Sequence, residues 1–227
     1  MPFTMEPEAF DRLRRLDALA VRISLDLAHR ITPEDFVRPT PCAAWTLGEL
    51  LAHLTAQHLG FAAAARGRGG EPDRWAVGPV TDDLPKRHEA AAAEALAAFA
   101  ELAGPEPLFA LPEFSSPLPF PAGRAVGFHL VDAVAHGWDL AATLGLDYHA
   151  DPELLDAALV VALAVPDDDS RLAPGSAFEP ALPAEPGSSP LDRILVALGR
   201  SPQWGGPDGY GRPAADDVER PRPEPLR

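Results

Sequence analysis

Apolar residues recur along this chain at intervals of three and four, and prolines mark where that rhythm stops. Between residues 8 and 32, Phe10, Leu13, Leu16, Ala20, Ile23 and Leu27 fall on one side of a helix. Between 42 and 71, Leu47, Leu50, Leu51, Leu54 and Phe61 do the same. Thr46 and Glu49 stand ahead of that run as a T-x-x-E capping box, and Gly67, Gly69 and Gly70 end it. Residues 86–104 are rich in alanine around Leu96, Phe99 and Leu102, and stop at Gly104-Pro105. Residues 122–151 carry Val126, Leu130, Ala133, Val134, Leu140, Ala141 and Leu144, with Gly145 placed as a C-cap. A shorter run follows at 153–165. These five stretches are the long proline-free gaps in a chain with 27 prolines, and a helix interior rejects proline because it removes a hydrogen bond and clashes with the preceding turn.

No segment alternates apolar and polar positions long enough for a strand, although "LFAL" at 108–111 is able to pair briefly. Four long helices and a shorter fifth predict an all-α fold, a four-helix bundle with an additional short helix. After Val165 the composition turns to Pro, Gly, Ser and Asp, interrupted by "SPLDRILVALGR" at 189–200. In that piece Ser189 is placed to cap a helix, and Ile194, Leu195 and Leu198 to dock it on the bundle. From Gly205 onward there is almost nothing to bury, so residues 205–227 are expected to be a disordered Pro-rich tail beyond a helical unit spanning 1–204. There is no internal repeat.

Charge narrows the function. With 34 acidic against 19 basic side chains and a formal net charge of -15, the surface repels nucleic-acid phosphate and anionic lipid. The longest aliphatic run, at 157–165, is about half of a membrane span. The N-terminal "MPFTMEPEAFDRLRR" has no basic start followed by an apolar stretch, so no secretory signal is expected and a cytoplasmic location is. Cys42 is the only cysteine and has no internal disulfide partner.

The candidate chemistry sits on the second and fourth helices. Asp132 and His136 are four residues apart, so their side chains lie one turn apart on the same face, with His129 and Asp139 extending the stripe at spacings of three. His53 lies beside Leu54 on the second helix, with Gln57 one turn later. Two imidazoles and a carboxylate inside a bundle form a donor set for a divalent metal with an open position. An i,i+4 ion pair and an incidental boundary histidine are the simpler readings of the same spacing. Asp139 reads as a hydrogen-bonding partner of a ligand or of a neighbouring element, and His129 and Gln57 as groups supporting the ligands. His29, His58, His88 and His149 have no spaced partner and are expected at the surface. Cys42 reads as a small buried residue at the helix entry, and Trp45 as a hydrophobic staple there.

The segments "PTPCAAWTLGELLAHL", "DAVAHGWDLAATLG" and "PLDRILVALGRSPQW" together resemble the DinB-like metal-binding bundles. Within these, the chain is most similar to bacterial proteins related to the N-terminal domain of mycothiol-dependent maleylpyruvate isomerase. The resemblance runs from about residue 8 to Trp204. It implies that His53, Asp132 and His136 hold a divalent metal, commonly zinc, with nickel or iron also suited to imidazole and carboxylate. It further implies mycothiol as cosubstrate, a small electrophile as its target, and transferase or isomerase chemistry. Asp132 stands where that pattern has Glu, which brings the metal closer to its helix. The isomerase is expected to carry a separate C-terminal domain in place of the Pro-rich extension seen here. A non-catalytic metal- or ligand-binding bundle, and a homodimer-forming structural bundle with incidental histidines, are the alternative expectations.

Overall fold

The computed structural model describes residues 5–42, 45–112, 118–172 and 178–206. Helix α1 spans Pro7–Ala28, α2 Leu47–Ala65, α3 Leu84–Ala100, α4 Ala122–Leu144, α5 Pro152–Ala162 and α6 Pro190–Ala197. Proline opens α1, α3, α5 and α6 within their first two positions, where its missing N–H has no helical partner to lose. The capping box forms as the sequence predicts: the Thr46 side chain accepts from the Glu49 N–H at 3.4 Å, and the Thr46 N–H donates to Glu49 Oε2 at 2.8 Å. The "LFAL" segment contributes a two-residue strand β1, Leu108–Phe109, antiparallel to β2, Phe120–Pro121, directly before α4.

Side-chain contacts fix how the helices run. Arg14 reaches the carbonyls of Phe99 and Leu102, and His29 faces Glu89, so α1 and α3 are antiparallel. Thr55 meets His88 and Arg66 meets Glu94, so α2 and α3 run in the same sense. His53 lies against His136 and His58 against His129, so α4 opposes α2. The bundle is therefore two parallel pairs, α1 with α4 and α2 with α3, running in opposite directions. Leu50, Leu51, Leu54, Leu130, Val134 and Leu140 are fully buried at its centre. Helix α4 is buried nearly all round because α1, α2 and α5 enclose it.

The predicted second and fourth helices are shorter than their proline-free gaps. Helix α2 ends at Ala65, before the glycine run, and α4 ends where Gly145 takes the left-handed conformation at φ 71°. The N–H groups of Gly145 and Leu146 then return to the carbonyls of Ala142 and Ala141. Helix α6 docks on α5 through buried Ile194, Leu195 and Leu198. It closes in the same way: Gly199 sits at φ 77°, and the Arg200 N–H returns to the Leu195 carbonyl. A Cβ at Gly199 would also lie 2.6–2.8 Å from Glu179, so only glycine turns the chain here. Arg171, 5% exposed, holds this segment in place by donating to the carbonyls of Pro166, Glu179 and Ala197. The expected disordered tail lies beyond the described residues apart from Gly205 and Gly206.

Candidate metal centre

The opposed run of α2 and α4 brings His53 against the Asp132–His136 turn. Donor atoms of these three residues all lie within 4.8 Å of one another. His136 Nε2 is 3.5 Å from Asp132 Oδ1, and the two imidazole rings meet edge-on at 5.5 Å. The Asp132 side chain is 23% exposed and that of His136 only 6%, so the cluster is rooted in the core and open on the Asp132 side. Burial pushes the His53 imidazole down to about 4, Asp132 opposing, so His53 is neutral at physiological pH with a lone pair to give.

A second layer of contacts orients His136. Its Nδ1–H donates to Asp139 Oδ2 at 2.8 Å, which turns Nε2 toward Asp132, 3.5 Å away. Asp139 is fully buried. Arg200 donates to both of its carboxylate oxygens, from Nε at 3.0 and 3.1 Å and from Nη2 at 3.0 Å. Burial works against the Asp139 charge, but Arg200 and then His136 outweigh it, and the carboxyl titrates below its ordinary value. Arg200 also donates to the Leu198 carbonyl at 3.2 Å, so the turn after α6 aims its guanidinium.

Cys42, His136 and Asp139 form a second set of donors within 4.8 Å. This set is the poorer one for a cation. Both Asp139 oxygens are engaged by Arg200, and burial raises the Cys42 thiol to about 11, so it is protonated at neutral pH.

Several expectations need correction. Trp45 does more than staple the helix entry, because its ring stacks on His53 at 4.3 Å and 28° and lies 6.0 Å from His136. His129 does not face the three donors. It bonds Asp17 and His58 deeper in the bundle, because a spacing of three from Asp132 turns it toward α1 and α2. His58 and His88, expected at the surface, are 2% and 0% exposed. Both occupy the apolar stripe of their own helices, in step with Leu54 and Phe61 or with Ala92 and Ala95, and that position was the available signal. His29 and His149 are exposed as expected. Gln57 is buried on α2, one turn after His53. Arg200 had no local signal beyond an arginine directly after the docking helix.

Two facing helices of the bundle bring a His-His-carboxylate cluster together, backed by a buried Asp–Arg pair, a donor arrangement that could hold a divalent cation. The chain is a member of the mycothiol maleylpyruvate isomerase N-terminal domain family, whose sequence model matches residues 18–141. Uncharacterized proteins from two strains of Mycobacterium tuberculosis are each 32% identical over 169 residues, covering 72% of this chain and 84% of theirs. The crystal structure of the mycothiol-dependent maleylpyruvate isomerase matches with a TM-score of 0.61 at 17% identity, covering 85% of this chain and 90% of that one. A histidine-to-alanine variant of that isomerase matches at a TM-score of 0.62 and 15% identity. At these identities the structures show a shared fold. Among the described residues no helix is long and apolar enough to cross a membrane.

Proposed function

We propose that His53, Asp132 and His136 hold one divalent cation, zinc first and nickel or iron as alternatives, in an enzyme that activates a low-molecular-weight thiol toward a small electrophile. Mycothiol is the thiol that the family relation suggests. The observation that carries this reading is the convergence of three donors from two helices, with the His136 ring oriented by Asp139. Two neutral imidazoles and a carboxylate suit a borderline cation, and three protein ligands leave a position for an exogenous group. When bound, the cation supplies a Lewis-acid position at which a thiol loses its proton near neutral pH.

The chain's own residues do the rest. Asp139 holds His136 in one tautomer, and Arg200 keeps Asp139 ionised without letting it compete as a ligand. Trp45 covers one face of His53 and fixes the ring plane, giving the open side an aromatic wall. Asp132, more exposed than His136, marks the side from which a thiol and its electrophile enter. The work belongs in the cytoplasm, where such thiols are reduced.

The test is elemental analysis of protein purified without an affinity tag, wild type against His136→Ala. Near-stoichiometric metal in the wild type and its loss in the variant are expected. Metal-bearing protein is then given mycothiol and electrophiles such as maleylpyruvate, and thiol-dependent loss of the electrophile should vanish in His53→Ala. Wild type that neither carries metal nor takes up added zinc refutes the reading.

A further inference from the structure

The bundle core contains a second group of titratable side chains, one from each of the four long helices: Asp17 of α1, His58 of α2, His88 of α3 and His129 of α4. None is more than 2% exposed. His129 lies between two of the others, with Nδ1 2.7 Å from Asp17 Oδ1 and Nε2 2.9 Å from His58 Nδ1. Phe61 and Phe99 close over its ring edge-on at 5.0 and 5.1 Å. At the other end His88 Nδ1 is 3.3 Å from Thr55 Oγ1, whose hydroxyl donates to the Leu51 carbonyl at 2.7 Å.

Hydrogen-bond chemistry assigns the protons. An ionised carboxylate only accepts, so His129 Nδ1 carries a hydrogen toward Asp17. The Thr55 hydrogen is committed to Leu51, so His88 Nδ1 donates to Thr55, and a neutral His88 has a bare Nε2. One proton lies between His129 Nε2 and His58 Nδ1. If it belonged to His58, His129 would be neutral, the Asp17 charge would stand alone in the core, and His58 and His88 would both present bare nitrogens. If it belongs to His129, the Asp17 charge is balanced, and His58 carries its own hydrogen on Nε2. The first arrangement leaves a buried unpaired charge and the second does not. Among the described residues His58 Nε2 and His88 Nε2 have no hydrogen-bond partner, and their ring centres are 5.1 Å apart, so one ring with a donor to spare packs against one with an acceptor to spare.

We infer that the core binds one internal water between His58 Nε2 and His88 Nε2, and that this water completes a hydrogen-bonded chain from Asp17 through His129 to Thr55, with one excess proton resting on His129. Accepting from His58 and donating to His88, the water satisfies two buried polar atoms at once, as internal waters do. The charged and titratable groups around the chain are Asp17 and His29 from α1, His58 from α2, His88 from α3, and His129 and Asp132 from α4. Burial opposes a charge on His129, yet Asp17 outweighs it and raises the imidazole, while burial and then His129 hold His58 well below its ordinary value. The site shares no residue with the proposed metal centre, although the Asp132 carboxylate adds to the negative charge felt by His129.

The test is nitrogen-15 spectroscopy of the imidazoles in the full-length protein at neutral pH, with a high-resolution crystal structure. His129 should be doubly protonated, His58 protonated on Nε2 and His88 on Nδ1, with one ordered water within hydrogen-bond reach of both Nε2 atoms. Asp17→Asn should return His129 to a neutral ring. Should that variant fail to fold, His88→Leu should lose the water while His129 stays doubly protonated. A neutral His129, a His58 protonated on Nδ1, a direct nitrogen–nitrogen bond, or a metal ion between the two rings each overturns the inference.

Discussion

His136 shows how much one side chain depends on others. Its Nε2 is a useful donor only while Nδ1–H is held by Asp139, and Asp139 is tolerable in the core only while Arg200 neutralises it. Asp139→Asn keeps the shape but weakens the grip on the imidazole, and zinc affinity measured by chelator competition should fall about 10–100-fold. Arg200→Ala is harsher, because it strands a buried carboxylate. Its urea midpoint should drop by the equivalent of about 3–5 kcal/mol. The double variant Asp139→Asn with Arg200→Met removes both charges and should regain much of that stability without regaining zinc affinity.

Among the elements, α2 and α6 carry predictions of their own. The Thr46–Glu49 box serves the N-terminal N–H groups of the helix that bears His53. Thr46→Ala should cost about 1 kcal/mol in chemical unfolding, with metal content unchanged. Gly199 is needed both for its positive φ and for its closeness to Glu179. Gly199→Ala should therefore displace Arg200 and lower zinc affinity although it touches no donor, which the same chelator competition reads. The two elements also differ in how openly the sequence announces them. A capping box and an i,i+4 pair are local, and the helical repeat alone places Asp132 beside His136. The contact of Arg200 with Asp139 spans 61 residues and follows from where α6 docks, which no local pattern encodes.

At the scale of the whole molecule, the buried histidines tie folding to pH. His88 and metal-free His53 are held down to about 4, and His58 well below its ordinary value, in each case chiefly by burial. The unfolded chain takes up protons on these groups near pH 6.5, where the folded protein does not. Stability is therefore full above about pH 6.5 and falls as the pH drops toward 4, by about 3 kcal/mol for a group such as His88 alone. His129 has the opposite sign. Its raised value gives stability that is present below about 6.5 and lost as the pH climbs through the folded value. Urea midpoints of metal-free protein should fall from pH 7 to pH 4.5, and His88→Leu should flatten that slope.

The sequence by itself determined the all-α class, the stretches in which the long helices lie, the Thr46–Glu49 and Gly145 caps, and the Asp132–His136 pair. Each of these rests on contacts within a few residues, and the helical repeat and the chemistry of proline, glycine and capping side chains govern such contacts. Only the tertiary structure decided which stripe meets which. It set His53 opposite His136, turned His129 away to Asp17, drew His58 and His88 inside, and delivered Arg200 to Asp139. The periodicity of a helix gives the direction of a side chain about its own axis. The partner in that direction depends on how four helices cross and pack, a property of the assembled core.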